Sequence, residues 1–217
     1  MGRKSLADIR RQEIVDAFYR CVVNKGLTNA SIRKIAKEAG VQPSILHHYF
    51  KDRDEMIEQM VESFADTIFE NFLEEMKTYP DPDTRFFKAL EFMYSPGMIN
   101  EEYSGFFLEC CVEARRNPRV RATMATTFER FRETIITYMK EMNILRQLPE
   151  AQKENYATVL IAIHEGLELQ WYIDPGAVSL EKATVLTREV INMLLENRNR
   201  PLATAIDDMK LASSDNR

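Results

Sequence analysis

Apolar residues recur every three or four positions along most of the chain, which is the spacing of one face of an α-helix. The longest such run lies between Met56 and Met76 and keeps that period for about six turns. Nowhere do apolar and polar residues alternate over the length of a strand. The pattern therefore predicts an all-α fold of about nine helices.

Glycines, prolines and polar clusters interrupt the pattern and divide the chain. Ser31, Asp52, Asn117 and Ser179 stand where a side chain caps the start of a helix. We expect residues 1–52 to form a three-helix head, residues 53–198 a larger helical body, and residues 199–217 a polar tail. The expected helices cover roughly residues 7–25, 32–39, 43–50, 53–76, 83–94, 102–116, 118–142, 150–173 and 180–197.

Composition narrows the class of protein. No apolar run approaches the ~18 residues that a membrane span needs, and the first residues lack the apolar core of a signal peptide. The three cysteines, Cys21, Cys110 and Cys111, fit small apolar side chains in a reducing cytoplasm. The chain contains no glycine-rich phosphate loop, H-E-x-x-H motif or nucleophile elbow. We therefore predict a cytoplasmic protein that is not an enzyme, needs no cofactor and does not enter membranes.

Charge is unevenly distributed along this acidic chain. Residues 1–51 contain ten Lys and Arg against four Asp and Glu, whereas the whole chain has 29 against 34 and a net charge of −5. The first 51 residues thus carry +6 and the remainder −11. A basic head joined to an acidic body indicates that the head alone binds a polyanion.

Two short helices joined by a turn that contains Gly40 form the pattern of a helix-turn-helix. The second helix of this motif enters the major groove of DNA, so it needs a small or polar amino-terminal end and an apolar back. Gln42 and Ser44 meet the first demand, and Ile45, Leu46 and Phe50 are available for the second. Basic groups beside the helix, including Lys34 and Lys37, can hold the DNA backbone. The predicted DNA contacts are Ser31, Arg33, Gln42, Pro43, Ser44, His47, Tyr49, Lys51 and Arg53.

Each of these residues also has a plain structural interpretation. Gln42 can act as a weak helix cap, and Ser44 can be an ordinary surface serine. Lys51 and Arg53 can be solvated charges, as most surface cations are. A helical protein-interaction module that does not bind DNA therefore stays open as the alternative function. Substitution of Arg33 and Arg53 by Glu would abolish DNA binding but spare a protein interface on the last two helices.

The stretch KGLTNASIRKIAKEAGVQPSILHHYFKDRDEM, residues 25–56, resembles the DNA-binding head of the tetracycline-repressor (TetR) family of bacterial regulators. Further along, HEGLELQWYIDPGAVSLEKA, residues 164–183, is similar to the C-terminal segment of the subgroup that contains choline-responsive betaine regulators. The features shared with the head are Gly26, Ser31-Ile32, Ile35-Ala36, Ala39-Gly40-Val41, Leu46, Tyr49-Phe50, Arg53 and Met56.

The resemblance implies a ligand-responsive repressor that binds a near-palindromic operator in double-stranded DNA as a homodimer. A small molecule bound in the body would change the spacing of the two heads and release the operator. The recognition helix would correspond to residues 42–48, and the helices near 150–173 and 179–197 would form the dimer interface. Two residues depart from the family pattern. Gln42 stands where Ser or Thr usually caps this helix, and His47 where a Tyr usually reaches a phosphate.

An effector cavity in the body needs apolar and aromatic lining with a few polar groups. Most aromatic residues of the body are equally explained as core, and Glu109, Glu113 and Glu165 are acidic groups that would offset a cationic ligand. His164 and Glu168 lie four residues apart, but two ligands without a third do not define a metal site, so we predict none. The predicted ligand contacts are Phe64, Phe106, Phe107, Met124, Phe128, His164 and Trp171.

Overall fold

A computed structural model of the protein describes residues 5–196. Over that range the chain forms α-helices joined by loops and turns, so the predicted all-α fold is confirmed. A short 3₁₀ turn at Leu27–Asn29, which the apolar pattern did not predict, follows the first helix. The helices are α1 Leu6–Lys25, α2 Ile32–Glu38, α3 Pro43–Tyr49, α4 Arg53–Met76, α5 Pro82–Phe92, α6 Glu101–Ala114, α7 Pro118–Glu141, α8 Glu150–Ile173 and α9 Leu180–Glu196.

Local residues set most of the helix ends. The side-chain oxygen of Asn117 accepts the backbone N–H of Arg119 at 3.1 Å and so caps α7. The hydroxyl of Ser179 accepts the N–H of Lys182 at 3.2 Å and caps α9 in the same way. The predicted hydroxyl cap at Ser31 is wrong, because Ser31 occupies the N-cap position of α2 but makes no capping hydrogen bond with its side chain. Its hydroxyl is left at an exposed position.

The turn between α2 and α3 is built around Gly40. Gly40 has a φ of 66°, in the left-handed region that residues with a Cβ avoid. The N–H of Gly40 bonds to the carbonyl of Lys37 at 3.2 Å, and the N–H of Val41 bonds to the carbonyl of Ala36 at 2.9 Å. These two bonds are the Schellman arrangement that satisfies the last carbonyls of a helix. The turn therefore ends α2 and directs the chain into α3.

Packing divides the chain into two compact units. The first unit contains the residues up to Glu75 together with Pro96–Arg130. The apolar stripe predicted for α1 is buried in its core, which also takes residues from α3, α4, α6 and α7. The largest fully buried side chains of this unit are Ile14, Phe18, Ile35, Leu46, Met56, Ile57, Met60, Ile99 and Phe106.

Within the described residues, the second unit contains Met76–Ser95 and residues 131–196. Its core joins α5, the end of α7, α8 and α9 around residues such as Phe86, Met139 and Leu160. On α9 the buried residues are Ala183, Thr187 and Ile191. The sequence pattern offers an apolar stripe of Leu186, Val190, Leu194 and Leu195 on this helix, of which Leu194 and Leu195 pack against the core and Leu186 is exposed. The two packing units do not divide the chain at residue 52, so they do not test where the predicted head ends. That boundary stays a prediction.

No helix within residues 5–196 is both long enough and apolar enough to cross a bilayer. The polar tail predicted for residues 199–217 lies outside the described residues.

Candidate nucleic-acid interface

Helix α3 is anchored on one side and exposed on the other. Leu46 is 1% exposed, and Phe50, which directly follows the helix, is 2% exposed; both belong to the core of the first unit. Ser44 and His47 are exposed. Of the two neighbours that the pattern offered as an anchor, Leu46 is the buried one and Ile45 is 37% exposed. The seven-residue helix thus presents polar side chains together with Pro43 and Ile45 to solvent, a mixture that suits base edges and thymine methyl groups.

Gln42 occupies the N-cap position of α3, with an extended backbone at φ −75° and ψ 145°. Its side chain is exposed and makes no capping hydrogen bond. Pro43 follows at the first helical position, where its missing N–H removes a donor that would have no partner. The structural alternative for Gln42, a weak cap, is therefore not what the side chain does. Its amide remains available to a base edge at the end of α3.

The carboxyl-terminal half of α3 carries three neighbouring aromatic rings. His47 and His48 are both exposed. The ring of His48 lies edge-on to the ring of Tyr49, with 5.1 Å between their centroids. Tyr49 is half-buried and packs against the core of the first unit. The phosphate contacts of His47 and Tyr49 stay predictions.

Basic side chains lie on the surface on both sides of α3. Arg33 and Lys37 of α2 are exposed, and so is Lys51, which follows α3. The ammonium group of Lys34 is also exposed but lies 2.9 Å from the carbonyl oxygen of Asn29. Arg33, Lys37 and Lys51 can contact phosphates without disturbing an interaction that holds the fold.

Arg53 differs from these cations because its guanidinium group is engaged inside the first unit. One of its nitrogens donates to the carbonyl oxygen of Leu27 at 2.7 Å. The guanidinium carbon also lies 5.9 Å from the centre of the Phe18 ring. Arg53 thus ties the start of α4 to the 3₁₀ turn after α1. This structural role was not expected from the sequence, and a phosphate contact of Arg53 stays a prediction.

Arg11 is a positioning residue that the sequence interpretation missed. Its guanidinium group donates to the carbonyl oxygen of Tyr49, at the end of α3, and to the carboxylate of Glu55. A third bond, of 3.3 Å, reaches the side-chain oxygen of Gln59. The same group lies over the Phe50 ring at 4.4 Å. Arg11 therefore joins α1, α3 and α4, and it fixes the end of α3.

Two carboxylates at this junction are held in their ionised form. The hydrogen bond from Arg11, followed by the backbone N–H of Lys51, lowers the pKa of Glu55 below its ordinary value of 4.5. The backbone N–H of Glu55 lowers the pKa of Asp52 below 3.8, and Arg119 adds to that effect. Because cations and N–H groups offset both carboxylates, their repulsion of a nearby phosphate is reduced.

The predicted ligand contacts do not form one group. Five of the seven belong to the first unit, and two, the buried His164 and the half-buried Trp171, belong to the second. In the first unit the Phe64 and Phe106 rings meet at 4.7 Å, and the Phe107 and Phe128 rings at 6.1 Å. The first-unit candidates all pack in one apolar core; they are Phe64, Phe106, Phe107, Met124 and Phe128.

A small pocket in the first unit combines aromatic rings with carboxylates. Its volume is about 140 Å³. Tyr19 stacks on Phe64 at 5.9 Å, and Tyr103 meets Phe64 edge-on at 5.2 Å. The hydroxyl of Tyr19 donates to Glu102 at 2.9 Å, and Asp16 lines the same pocket. Of the predicted ligand contacts only Phe64 lines this pocket. The sequence pattern gave no reason to name the lining residues on α1 and α6, such as Tyr19 and Glu102, as ligand contacts.

His164 lies in a cluster that the sequence interpretation left incomplete. Its ring is 4% exposed, and its Nε2 lies 3.6 Å from a carboxylate oxygen of Glu168. The structure adds Glu165, so that one donor atom from each of the three residues lies within 4.8 Å of the others. Burial lowers the pKa of His164 to about 4. Burial, together with the charge of Glu168, raises the pKa of Glu165 to about 8.

Comparison with known proteins gives two family matches. Residues 14–60 match the family described as "Bacterial regulatory proteins, tetR family". Residues 82–196, more than half of the chain, match the family described as "BetI-type transcriptional repressor, C-terminal". These are families of transcriptional regulators and not of enzymes.

Individual relatives agree over nearly the whole length. The chain is 22% identical to the HTH-type transcriptional regulator BetI of Rhizobium meliloti, over 88% of this chain and 92% of that protein. It is 26% identical to the regulator PksA of Bacillus subtilis, over 87% and 91%.

Solved structures share the fold. A regulator from Pseudomonas aeruginosa PAO1 has a TM-score of 0.79 at 16% identity, over 91% of this chain and 96% of that one. A regulator from Saccharomonospora viridis, solved in complex with choline, has a TM-score of 0.72 at 20% identity, over 85% and 96%. The chain therefore belongs to the TetR family of bacterial transcriptional regulators, with a carboxyl-terminal region of the BetI type, and it binds DNA through its amino-terminal helices.

Proposed function

We propose that the chain represses transcription in the cytoplasm as a homodimer, which binds a near-palindromic operator and is released by a small molecule. The exposed polar end of α3, fixed from behind by Leu46 and Phe50, carries this proposal. Two such helices related by a twofold axis read half-sites roughly 34–36 Å apart, one turn of DNA. The alternative, a protein-interaction module that does not bind DNA, does not account for this exposed polar end or for the exposed cations beside it.

The proposed contacts divide by chemistry. Gln42 and Ser44 read base edges at the amino-terminal end of α3, since Gln can pair with adenine through two hydrogen bonds. The phosphate contacts come from side chains around them and fix the register of the helix on the duplex. This second group is Ser31, Arg33, Pro43, His47, Tyr49, Lys51 and Arg53, in which Pro43 contributes by packing against the sugar-phosphate backbone.

Charge-removing substitutions test the DNA surface. Arg33→Ala and Lys51→Ala each remove two phosphate contacts from a dimer, so each reduces the log–log salt slope of operator binding by about two. Arg146→Ala, an exposed arginine after α7, removes the same charge and serves as the control. Fluorescence anisotropy with the native upstream DNA gives the affinities. Equal salt slopes for all three variants and the parent chain would overturn the assigned surface.

The dimer interface is proposed on α8 and α9. Large apolar side chains are exposed on both helices of the second unit, which is unusual for a surface that meets only water. Tyr156 and Leu160 of α8 face the core instead. The exposed residues are Leu169 at 43%, Tyr172 at 39%, Ile173 at 74%, Val185 at 55%, Leu186 at 36% and Met193 at 53%.

Charged substitutions test this interface. The double variant Val185→Glu, Met193→Glu places two carboxylates in an apolar contact and should yield monomers at micromolar concentration, because unpaired charges are costly to bury. Ile144→Glu changes another exposed apolar residue of the same unit, 50% exposed, and is the control. Analytical ultracentrifugation measures the mass. Dimers formed equally by the double variant would place the interface elsewhere.

The effector is proposed to be a small organic cation bound in the aromatic pocket of the first unit. Rings of Tyr19, Phe64 and Tyr103 offer their faces and edges, and the carboxylates of Asp16 and Glu102 supply negative charge. Aromatic faces attract quaternary ammonium groups for electrostatic reasons. The choline complex of the Saccharomonospora viridis regulator makes choline the first compound to try. The other predicted ligand contacts stay predictions.

A matched pair of compounds tests the effector class. Choline should raise the melting temperature and weaken operator binding, whereas its uncharged analogue, with carbon in place of nitrogen, should do neither. Glu102→Gln should weaken the choline effect, and Glu101→Gln, the neighbouring exposed residue that does not line the pocket, should not. An equal effect of both compounds would contradict a charge-recognising pocket, and the DNA surface would be unaffected by that result.

A further inference from the structure

The imidazole of His164 is buried in the second unit without a hydrogen bond at either nitrogen. Its Nδ1 has no partner among the described residues. Its Nε2 faces the carboxylate of Glu168 at 3.6 Å, which is longer than a hydrogen bond. The ring of Tyr94 covers it from the side, edge-on at 5.5 Å. A buried polar group without a partner is rare in folded proteins and indicates a bound water or ion.

Two carboxylates converge on this ring. Glu165 and Glu168 each offer an oxygen, and these oxygens and a ring nitrogen of His164 all lie within 4.8 Å of one another. A tetrahedral zinc ion with bonds of about 2.0–2.1 Å holds its ligands about 3.4 Å apart. The observed 3.6 Å between Nε2 and the Glu168 oxygen is close to that value. A tetrahedral ion would therefore need the three donor atoms, now within 4.8 Å of one another, to approach by about 1.4 Å at most.

The donor atoms at this place suit a transition-metal ion. A histidine nitrogen and carboxylate oxygens are ligands that zinc accepts, and the His164 ring is 4% exposed. The hydroxyl of Tyr94 is hydrogen-bonded to Thr187 at 2.6 Å, so it is already engaged and is not counted as a ligand.

We propose that His164, Glu165 and Glu168 of α8 bind one divalent transition-metal ion of the Zn²⁺ type. One nitrogen and two oxygens suit zinc, cobalt or manganese better than magnesium or calcium, which prefer oxygen ligands alone. Three protein ligands leave a coordination position for water or for another small ligand. Metal binding is measured without DNA, so this site and the proposed operator binding stand or fall separately.

The test uses the purified full-length chain without a polyhistidine tag. Calorimetric titration with Zn²⁺ should give one ion per chain, and a large excess of Mg²⁺ should not compete. Titration with Co²⁺ should give visible d–d absorption without a sulfur-to-cobalt charge-transfer band, which excludes Cys111 and the other thiols as the ligands. Glu165→Gln and Glu168→Gln should each weaken the affinity by about tenfold or more, since even outer contacts of a metal site matter that much.

Glu154→Gln is the control, because it removes one charge from an exposed position of the same helix. It should leave zinc affinity unchanged. Circular dichroism and melting of the metal-free variants show whether they are folded, and a neutral Gln in place of the half-buried Glu165 should not impair folding. The proposal is overturned if zinc does not bind, or if folded Glu165→Gln and Glu168→Gln variants bind it as tightly as the parent chain.

Discussion

At the scale of single residues, Gln42 lies at the amino-terminal end of α3 with an amide that is not used in the fold. A side chain in this position reads sequence only if a base takes up its hydrogen bonds. Arg33, by contrast, is exposed on α2 and is proposed to hold phosphates, which are the same in every sequence. Removing the side chain of Gln42 should therefore change the sequence preference of DNA binding, whereas removing that of Arg33 should change its overall strength.

Gln42→Ala should weaken binding to the native operator by about 1–3 kcal/mol of binding free energy and should leave binding to random DNA almost unchanged. Arg33→Ala should weaken binding to both duplexes alike, because counterion release does not depend on sequence. Anisotropy titrations of each variant with both duplexes measure the specificity ratio. A loss for Gln42→Ala that is equal on operator and random DNA would mean that this side chain does not read bases.

Glu55 makes the junction behind α3 sensitive to acid. The hydrogen bond from Arg11 lowers its pKa below 4.5, so the folded state favours the carboxylate. Its contribution to stability is complete above pH 4.5 and is lost as the pH falls through the lowered value. Glu55→Gln should thus be less stable than the parent chain at pH 7, and the difference should shrink on acidification below pH 4.5.

Urea unfolding between neutral and acidic pH measures this difference in the free energy of unfolding. Glu70→Gln removes a charge from an exposed position of the same helix and controls for net charge. If the difference in unfolding free energy between Glu55→Gln and the parent chain stays constant through the acid range, the stabilising contact between Arg11 and Glu55 does not depend on the charge of Glu55.

The side-chain partners were the least predictable feature of the sequence. Arg53 and Arg11 both look like surface cations in the chain, yet one bonds to the carbonyl of Leu27 and the other to that of Tyr49. Those carbonyls are 26 and 38 residues away, and only the tertiary fold brings them together. The predicted cap at Ser31 was wrong for a local reason. The residue type permits a capping hydrogen bond, but the side chain does not form one at the start of α2.

At the scale of elements, the helices themselves were predictable. Their ends depend on residues such as Asn117, Pro118 and Ser179, which act within one turn. The side of α9 that faces the core was predictable only in part, because Leu194 and Leu195 pack against the core whereas Leu186 is exposed. Only the packing partner decides how far an apolar face turns inward, and exposed residues such as Val185 and Met193 then remain for another chain.

The turn between α2 and α3 depends on backbone conformation alone. Gly40 has a φ of 66°, and nothing lies within 4 Å of a Cβ placed there. Gly40→Ala should therefore destabilise the fold by about 1–2 kcal/mol through left-handed strain and not through a clash. Gly166→Ala, in the helical interior of α8 and equally open, should stabilise it by about 0.5–1 kcal/mol.

Chemical denaturation of both glycine variants measures the two effects. The same added methyl group gives opposite signs because only the backbone angles differ. Equal destabilisation by both changes would mean that the space around the glycines, rather than the left-handed turn, decides the outcome.

At the scale of the whole molecule, the proposed effector pocket was hard to predict, because its residues come from distant parts of the chain. The aromatic pocket joins Tyr19 with Phe64 and Tyr103, and of these only Phe64 was predicted. The division into a basic first part and an acidic remainder was visible directly in the counts of charged residues. That division has a measurable consequence for how a dimer binds DNA.

A dimer brings two basic surfaces to one operator. If each neutralises about four phosphates, the logarithm of the binding constant should fall with the logarithm of salt concentration at a slope near −7. The Val185→Glu, Met193→Glu variant, if monomeric, has one surface and should give about half that slope, whereas Ile144→Glu should keep the full value. Anisotropy over a range of salt concentrations, with the mass checked by sedimentation, measures both quantities together. A monomer that retains the full slope would mean that one chain contacts the whole operator, and the twofold arrangement would then have to be abandoned.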